Sequence, residues 1–187
     1  VPDHAYQACR NAIDYVTSRS GARTIVVRIP FIVNNDSDII DPILSAISEK
    51  TALVMIDTVS SPTGIRMPFE KLVEMIQKRG VDVLVDAAHG PGIVPIDISK
   101  LNAAYITGNC HKWVCTPKGS AFLHIREDKR GGVKPLIIGH GYSSELPLGE
   151  KFRMEFDWTG TRDPSPWLCI PHAIEHLDSL VPVSYTH

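Results

Sequence analysis

Two polar segments of this chain carry side chains that could act together on a small molecule. The tetrad Asn109-Cys110-His111-Lys112 contains a lysine that could form an imine with a carbonyl compound. Upstream of it, the carboxylate of Asp86 could keep the nitrogen of a heterocycle protonated. A lysine and a carboxylate in these roles are what pyridoxal phosphate (PLP) chemistry requires of a protein.

Both segments follow short apolar runs that are typical of strands. Residues 81–85 are rich in β-branched side chains and predict a strand buried on both faces of a parallel sheet. Residues 103–107 lead into the tetrad in the same way. Because ligands bind outside the carboxyl ends of the strands in open α/β sheets, we expect Asp86 and Lys112 to face one crevice.

Predicted helices and strands alternate along the chain. Apolar spacing predicts helices over residues 5–18, 38–49, 68–79 and 164–180. Strands are predicted over residues 24–29, 52–56, 81–85, 103–107 and 119–125, and residues 127–164 are predicted to be mainly loops. This alternation predicts an α/β fold with a mainly parallel sheet and helices on both faces.

The composition limits the classes of protein to consider. With 187 residues, of which 43% are hydrophobic and 21% charged, the chain can bury a sizeable core in one domain or slightly more. A net charge of -2 with the signs interspersed argues against nucleic-acid binding, and no apolar stretch is long enough to predict a membrane span. The 4 cysteines have neither CxxC spacing nor the density of a disulfide scaffold, which favours a reducing compartment, and we expect the cytoplasm.

Five ordered motifs resemble the class V aminotransferase group of fold type I PLP enzymes. They are Asp3-His4-Ala5-Tyr6-Gln7-Ala8, Ser60-Ser61-Pro62-Thr63-Gly64, Asp86-Ala87-Ala88-His89, Gly108-Asn109-Cys110-His111-Lys112-Trp113 with Pro117-Lys118-Gly119, and Trp158-Thr159-Gly160-Thr161-Arg162-Asp163-Pro164. Within the group the chain is most similar to isopenicillin N epimerase-like proteins, and cysteine desulfurases are cousins. The resemblance implies a fold type I large domain, a PLP cofactor, an amino-acid substrate and a homodimer.

The resemblance implies roles for the residues that would contact the cofactor ring. Lys112 would bind PLP as an imine and, once released, move the proton at the substrate Cα. Asp86 would keep the pyridine nitrogen protonated, His4 would stack on the ring and His89 would contact its phenolic oxygen. Ser61 stands where desulfurases place an asparagine beside the cofactor oxygen, and its hydroxyl can still donate.

Other matched residues would meet the cofactor phosphate. Asn109 and His111 could each donate to it, although His111 could instead pack the lysine loop. Thr161 matches a threonine that reaches the phosphate of the neighbouring subunit, which implies active sites shared across a homodimer. Arg162 could serve the substrate carboxylate or form a surface ion pair.

The resemblance also divides the chain. Residues 1–145 would be the PLP-binding large domain without its amino-terminal part, and residues 146–182 the connection to the small domain and its beginning. The phosphate-binding turn would lie before Val1, and the persulfide-forming cysteine of desulfurases would lie after the present end. The last five residues, 183–187, match one reading of a transposon adapter and are predicted to be a non-native tail.

The predicted activity is that of an enzyme acting on an amino acid, by epimerisation, lyase-type β-elimination, desulfuration or transamination. Two other classes stay open. Asp86, His89 and His111 could be ligands of a metal-dependent enzyme, although this would leave Lys112 unexplained, and we predict no metal site. The chain could also be a catalytically silent relative that keeps the fold as an interaction protein. Loss of the lysine would be the simplest sign of that, and Lys112 is present.

Overall fold

A four-stranded sheet is the centre of the computed structural model, which describes residues 1–180. Strands β1 (Leu53–Asp57), β2 (Asp82–Ala87), β3 (Tyr105–Asn109) and β4 (Ala121–Ile125) are neighbours in this order. The first three pair in parallel, and β4 runs antiparallel to β3. The expected α/β class with a mainly parallel sheet is confirmed.

Seven α-helices and two short 3-10 helices accompany the sheet within residues 1–180. The α-helices are α1 (Gln7–Ser20), α2 (Ser37–Ser45), α3 (Phe69–Gln77), α4 (Ile98–Leu101), α5 (Leu148–Asp157), α6 (Ser165–Leu168) and α7 (Ile170–Leu180). The 3-10 helices span Glu127–Gly132 and His140–Ser143. None of these helices is long and apolar enough to cross a membrane.

The core lies between one face of the sheet and the apolar faces of α2 and α3. Since side chains alternate along a strand, Ile56 and Val85 point into this core while Asp57 and Asp86 belong to the opposite face. From α3 the core receives Phe69, Leu72, Val73 and Ile76, spaced as one helical stripe. Burying each such side chain stabilises the fold by about 1.5–3 kcal/mol, which fixes the strand ends in space.

Two predictions of secondary structure were wrong, and a third was right apart from one break. Residues 24–29 form no strand of the sheet: Val27 makes a single bridge with Pro2, while Ile25 and Val26 stay exposed without a neighbouring strand. The helix predicted over 164–180 is divided at Cys169, because Pro171 lacks the N–H that would continue the helical ladder. Helix α5 lies where loops were predicted, beginning directly after Pro147.

The segment from 133 to 180 packs differently from the sheet. No apolar side chain is buried there, and Glu155 is its one buried charged residue. Residues 181–187, which include the predicted non-native tail at 183–187, lie outside the described residues.

Candidate active site

The side chain of Lys112 lies beside His89, at the carboxyl ends of β2 and β3. Lys112 follows β3 in a turn that the backbone N–H of Cys115 closes by donating to the Lys112 carbonyl at 3.2 Å. Its Nζ is 3.2 Å from Nε2 of His89, which lies in the loop after β2. On the other side of the imidazole, Trp113 Nε1 donates to His89 Nδ1 at 3.0 Å. Parallel pairing of β2 with β3 thus brings the lysine and this histidine together.

Asp86 is held in place at the end of β2. Its Oδ1 accepts a hydrogen bond from the backbone N–H of Ala88 at 2.9 Å, and its Oδ2 lies 3.7 Å from the Cys9 thiol of α1. Burial, followed by the Asp86 carboxylate, raises the pKa of Cys9, so this thiol stays protonated and donates. The carboxylate is therefore oriented and keeps lone pairs for a further partner.

Asp57 is a buried carboxyl group of the site that was not predicted. It ends β1 directly opposite Asp86, is only 3% exposed, and its Oδ2 has no hydrogen-bond partner among the described residues. Burial and the neighbouring Asp86 charge raise the pKa of Asp57 to about 7. The signal in the sequence was the same as for Asp86, an aspartate directly after an apolar strand.

The charges of Lys112 and Asp86 act on the same neighbouring groups. Burial and the Lys112 charge lower the pKa of His89, while Asp86 acts in the opposite direction, so the imidazole is neutral at pH 7. Both charges also act on the pKa of Cys9. These two predicted residues therefore lie in one electrostatic neighbourhood, as the strand ends require.

The imidazole of His4 is fixed by the loop after β1. Its Nδ1 lies 3.1 Å from Thr63 Oγ1, which in turn lies 2.6 Å from Ser60 Oγ. Ser60 is buried, whereas Ser61 is exposed and makes no side-chain hydrogen bond within the described residues. Ser60 and Thr63 were not predicted, although they belong to the same motif as Ser61, whose cofactor contact stays a prediction.

His111 and Asn109 flank the lysine turn at its start. His111 Nδ1 donates to the carbonyl of Ser120 at 2.7 Å, so the ring proton of the neutral imidazole resides on Nδ1. His111 could then donate to an anion through Nε2 only as the imidazolium. Asn109 ends β3 opposite Ala121, is half-buried, and makes no side-chain hydrogen bond among residues 1–180.

The loop before α6 is not joined by hydrogen bonds to these residues within the described part of the chain. Thr161 is exposed there. Arg162 lies over the Trp167 ring, 4.3 Å from its centroid, and donates to the Asp157 carbonyl at 3.3 Å. The structure thus brings together Lys112, His89 and Asp86, but not Thr161.

The three residues of the alternative metal site are not arranged as one ligand group within residues 1–180. Within residues 1–180 no group of three His, Cys, Asp or Glu side chains is arranged to hold a metal ion. His89 uses both ring nitrogens on Lys112 and Trp113, and His111 uses Nδ1 on Ser120. Asp86, His89 and His111 therefore do not converge as ligands.

Comparisons with known proteins identify similar sequences and a shared fold. The probable chloroplastic L-cysteine desulfhydrase of Arabidopsis thaliana is 33% identical over 94% of this chain and 38% of its own length. The isopenicillin N epimerase of Amycolatopsis lactamdurans is 31% identical over 92% of this chain and 46% of its own length. The apo structure of a cysteine desulfurase from Thermococcus onnurineus NA1 superposes with a TM-score of 0.76 at 21% identity, covering 96% of this chain and 45% of that one, which shows a shared fold.

The chain spans less than half the length of each of these relatives. The family model of the class V aminotransferases matches residues 4–181. A match over nearly the whole chain shows the family, and the expected fold type I architecture is confirmed by the shared fold. This chain belongs to the class V aminotransferase family, whose members depend on PLP and act on amino acids.

Proposed function

We propose that the full-length protein is a PLP-dependent enzyme in which Lys112 binds the cofactor and moves the proton at the substrate Cα. The observation that carries this proposal is the 3.2 Å contact of Lys112 Nζ with His89 Nε2, at strand ends that also hold Asp86. PLP, when bound, withdraws electrons from the substrate carbon that loses a substituent. The protein has to supply an amine, an acidic partner and a positioned proton, and these residues are of the right types.

The chemistry of the side chains fits PLP. Asp86 is an oriented carboxylate with free lone pairs, which suits a protonated ring nitrogen. Neutral His89 can give a hydrogen bond to an oxygen on the ring, and His4 offers a flat imidazole face held by Thr63. An amine, a carboxylate and two imidazoles at one sheet edge match the functional groups of this cofactor.

The remaining predicted contacts are part of the proposal. Asn109 and His111 would meet the phosphate, His111 as the imidazolium because its Nδ1 is already used. Thr161 is exposed, as a residue reaching the cofactor of a neighbouring subunit would be, and the exposed hydroxyl of Ser61 would donate to the cofactor oxygen. The proposal also includes a homodimer, a large domain at residues 1–145 and a small-domain start at residues 146–182. Its proposed location is the cytoplasm.

Among the reactions open to such a site we favour β-elimination from cysteine. A relative named L-cysteine desulfhydrase is 33% identical and one named putative L-cysteine desulfhydrase 1 is 34% identical, against 31% for the isopenicillin N epimerase of Amycolatopsis lactamdurans. Elimination and epimerisation begin alike, with removal of the Cα proton, the step that we assign to Lys112. Loss of the thiol follows, and with water the products are pyruvate, ammonia and hydrogen sulfide.

The cofactor role of Lys112 can be tested with the full-length protein. After incubation with PLP, the protein should show the visible absorption band of an imine. Borohydride should then remove this band and fix the cofactor covalently to the peptide that contains Lys112. Lys112→Ala should lack both signals. Lys118→Ala removes an exposed lysine of the same loop and serves as the matched control. Retention of the band and of the covalent adduct in Lys112→Ala would refute the role.

The reaction can be identified from the products of L-cysteine. Equal amounts of sulfide, pyruvate and ammonia indicate elimination. Alanine indicates desulfuration, and an amino acid of inverted configuration, with Cα deuterium gained from D2O, indicates epimerisation. Either of the last two results, with no pyruvate, would overturn the preference for elimination while leaving the role of Lys112 intact.

A further inference from the structure

The imidazole of His89 lies between two nitrogen atoms that compete to donate to it. Trp113 Nε1 is 3.0 Å from Nδ1, and Lys112 Nζ is 3.2 Å from Nε2. A neutral imidazole has one donor and one acceptor nitrogen, so it cannot accept from both sides. The nitrogen of His89 that carries the proton therefore decides whether Lys112 Nζ donates or accepts in this contact.

The indole N–H decides which nitrogen of His89 is the acceptor, because the indole can only donate, whereas a lysine nitrogen that loses a proton can accept. Its Nε1 carries a hydrogen and accepts nothing, so His89 Nδ1 must be the acceptor and the ring proton must reside on Nε2. Burial lowers the pKa of His89, which keeps the ring neutral and leaves Nδ1 available. The N–H on Nε2 then points at Lys112 Nζ.

A lysine nitrogen can accept this hydrogen bond only through a lone pair. An ammonium group at 3.2 Å would set N–H against N–H. We propose that Trp113 is a positioning residue whose indole N–H fixes the proton of His89 on Nε2, so that His89 donates to Lys112 and favours its unprotonated, nucleophilic form. The hydrogen-bond arrangement is independent of the proposed function. Only its use rests on that function, in which the Lys112 amine takes up the cofactor.

The loop that carries His89 is built against Trp113. Gly92 has a φ of 91°, and a Cβ there would lie 2.9 Å from the backbone C and O of Trp113. The glycine thus permits a close approach that a side chain would prevent. This contact sets the register between the His89 loop and the lysine turn, although half of the Trp113 surface is exposed. The other ionisable groups around His89 are Lys112 and Asp86, both already counted in its pKa.

The tautomer of His89 can be measured without any cofactor. In the full-length apoprotein labelled with 15N-histidine, long-range 1H–15N NMR spectra distinguish the two neutral tautomers, and His89→Asn identifies the signals. We expect the proton on Nε2. In Trp113→Phe, which keeps an aromatic ring and removes the donor, the Lys112 ammonium becomes free to donate to Nε2, so the population should move toward the tautomer protonated on Nδ1.

Trp167→Phe removes an indole elsewhere in the chain and is the matched control. Its spectrum for His89 should equal that of the wild type. Finding the proton on Nδ1 in the wild type, or finding no change in Trp113→Phe, would overturn the inference.

The reactivity of the lysine provides a second, independent measurement. Competitive labelling of the apoprotein with trace acetic anhydride at pH 8 reports the unprotonated fraction of each lysine, with Lys118 as internal reference. Loss of one hydrogen bond that favours the neutral amine should lower the labelling of Lys112 about tenfold in Trp113→Phe. Unchanged labelling would count against the role of Trp113. Neither experiment involves PLP, so a failed borohydride test together with these results would refute only the proposed function.

Discussion

The strand ends that carry Lys112 and Asp86 and the segment from 133 to 180 are stabilised in different ways. Beneath the strand ends, Phe69, Ile56 and Val83 are at most 1% exposed. In residues 133–180 no apolar side chain is buried, and Leu168 is 69% exposed. Apolar burial therefore dominates one region and contributes little to the other.

Polar and backbone contacts take the place of a core in the second region. Lys134 Nζ binds both carboxylate oxygens of buried Glu155 at 2.9 and 2.8 Å. Gly141 packs against the backbone of α5, and Arg162 covers Trp167. The side chains that we propose to be catalytic are thus attached to a buried apolar core, whereas the helices after β4 depend on a few individual contacts. Loss of an apolar side chain should therefore lower the free energy of unfolding more in the first region than in the second.

The largest difference is expected from loss of apolar volume. Phe69→Ala should lower the free energy of unfolding by about 3–5 kcal/mol, since it removes a fully buried aromatic ring and leaves a cavity. Leu168→Ala, at an exposed position, should change it by less than about 0.5 kcal/mol. Urea unfolding of the full-length variants measures both values. Similar losses for the two variants would show that the regions do not differ in this respect.

A second large effect should appear as a dependence on pH. The pKa of Asp57 is raised from 3.8 to about 7 in the folded protein, so the folded state binds this proton more tightly than the unfolded state. The stability linked to it is fully present below pH 4 and is lost as the pH rises to 7, by as much as about 4 kcal/mol. Asp57→Asn, which stays neutral, should be more stable than the wild type at pH 8.

The control for this prediction is Asp41→Asn, a change at an exposed position of α2. Its unfolding free energy should follow the wild-type curve between pH 4 and pH 8. If Asp57→Asn also followed that curve, the proton assigned to Asp57 would not exist. Such a result would show that Asp57 is not a protonated partner of Asp86, and it would leave the proposed role of Lys112 unchanged.

The sequence predicted the parts of the site that follow from strand order. Asp86 and Lys112 each follow an apolar run, and parallel pairing of β2 with β3 places their ends at one edge. The helix α3 was also predictable, because its apolar stripe and the glycine after it are local signals. Such features depend on residues close together in the chain.

The features that the sequence did not predict depend on contacts between distant segments. Cys9 meets Asp86, and His4 meets Thr63, across 77 and 59 residues, respectively. Trp113 belongs to the motif that contains Lys112, but its hydrogen bond to His89 depends on the loop geometry around Gly92. Helix α5 was missed because it buries no apolar stripe, the feature by which helices are recognised.

Gly141 offers a smaller test of how the second region is held. A Cβ there would lie 2.6 Å from the backbone of Met154 and Glu155, atoms that cannot move without displacing α5. Gly141→Ala should therefore lower the unfolding free energy by about 1–3 kcal/mol. Gly131→Ala is the matched control, because no atom lies within 4 Å of its added methyl group. Thermal unfolding of both variants tests the difference, and an unperturbed Gly141→Ala would mean that α5 is not held at this point.

The smallest effect concerns Arg162, for which the sequence left open a role with the substrate carboxylate. Its guanidinium lies over Trp167 and donates to Asp157, both in the second region. Arg162→Met should therefore cost about 0.5–1 kcal/mol of stability through the lost cation–π contact, and leave KM for the amino acid unchanged. Arg153→Met, at an exposed position of α5, controls for loss of charge. A large rise of KM in Arg162→Met alone would assign the arginine to the substrate, and the second region would then contribute chemistry as well as contacts.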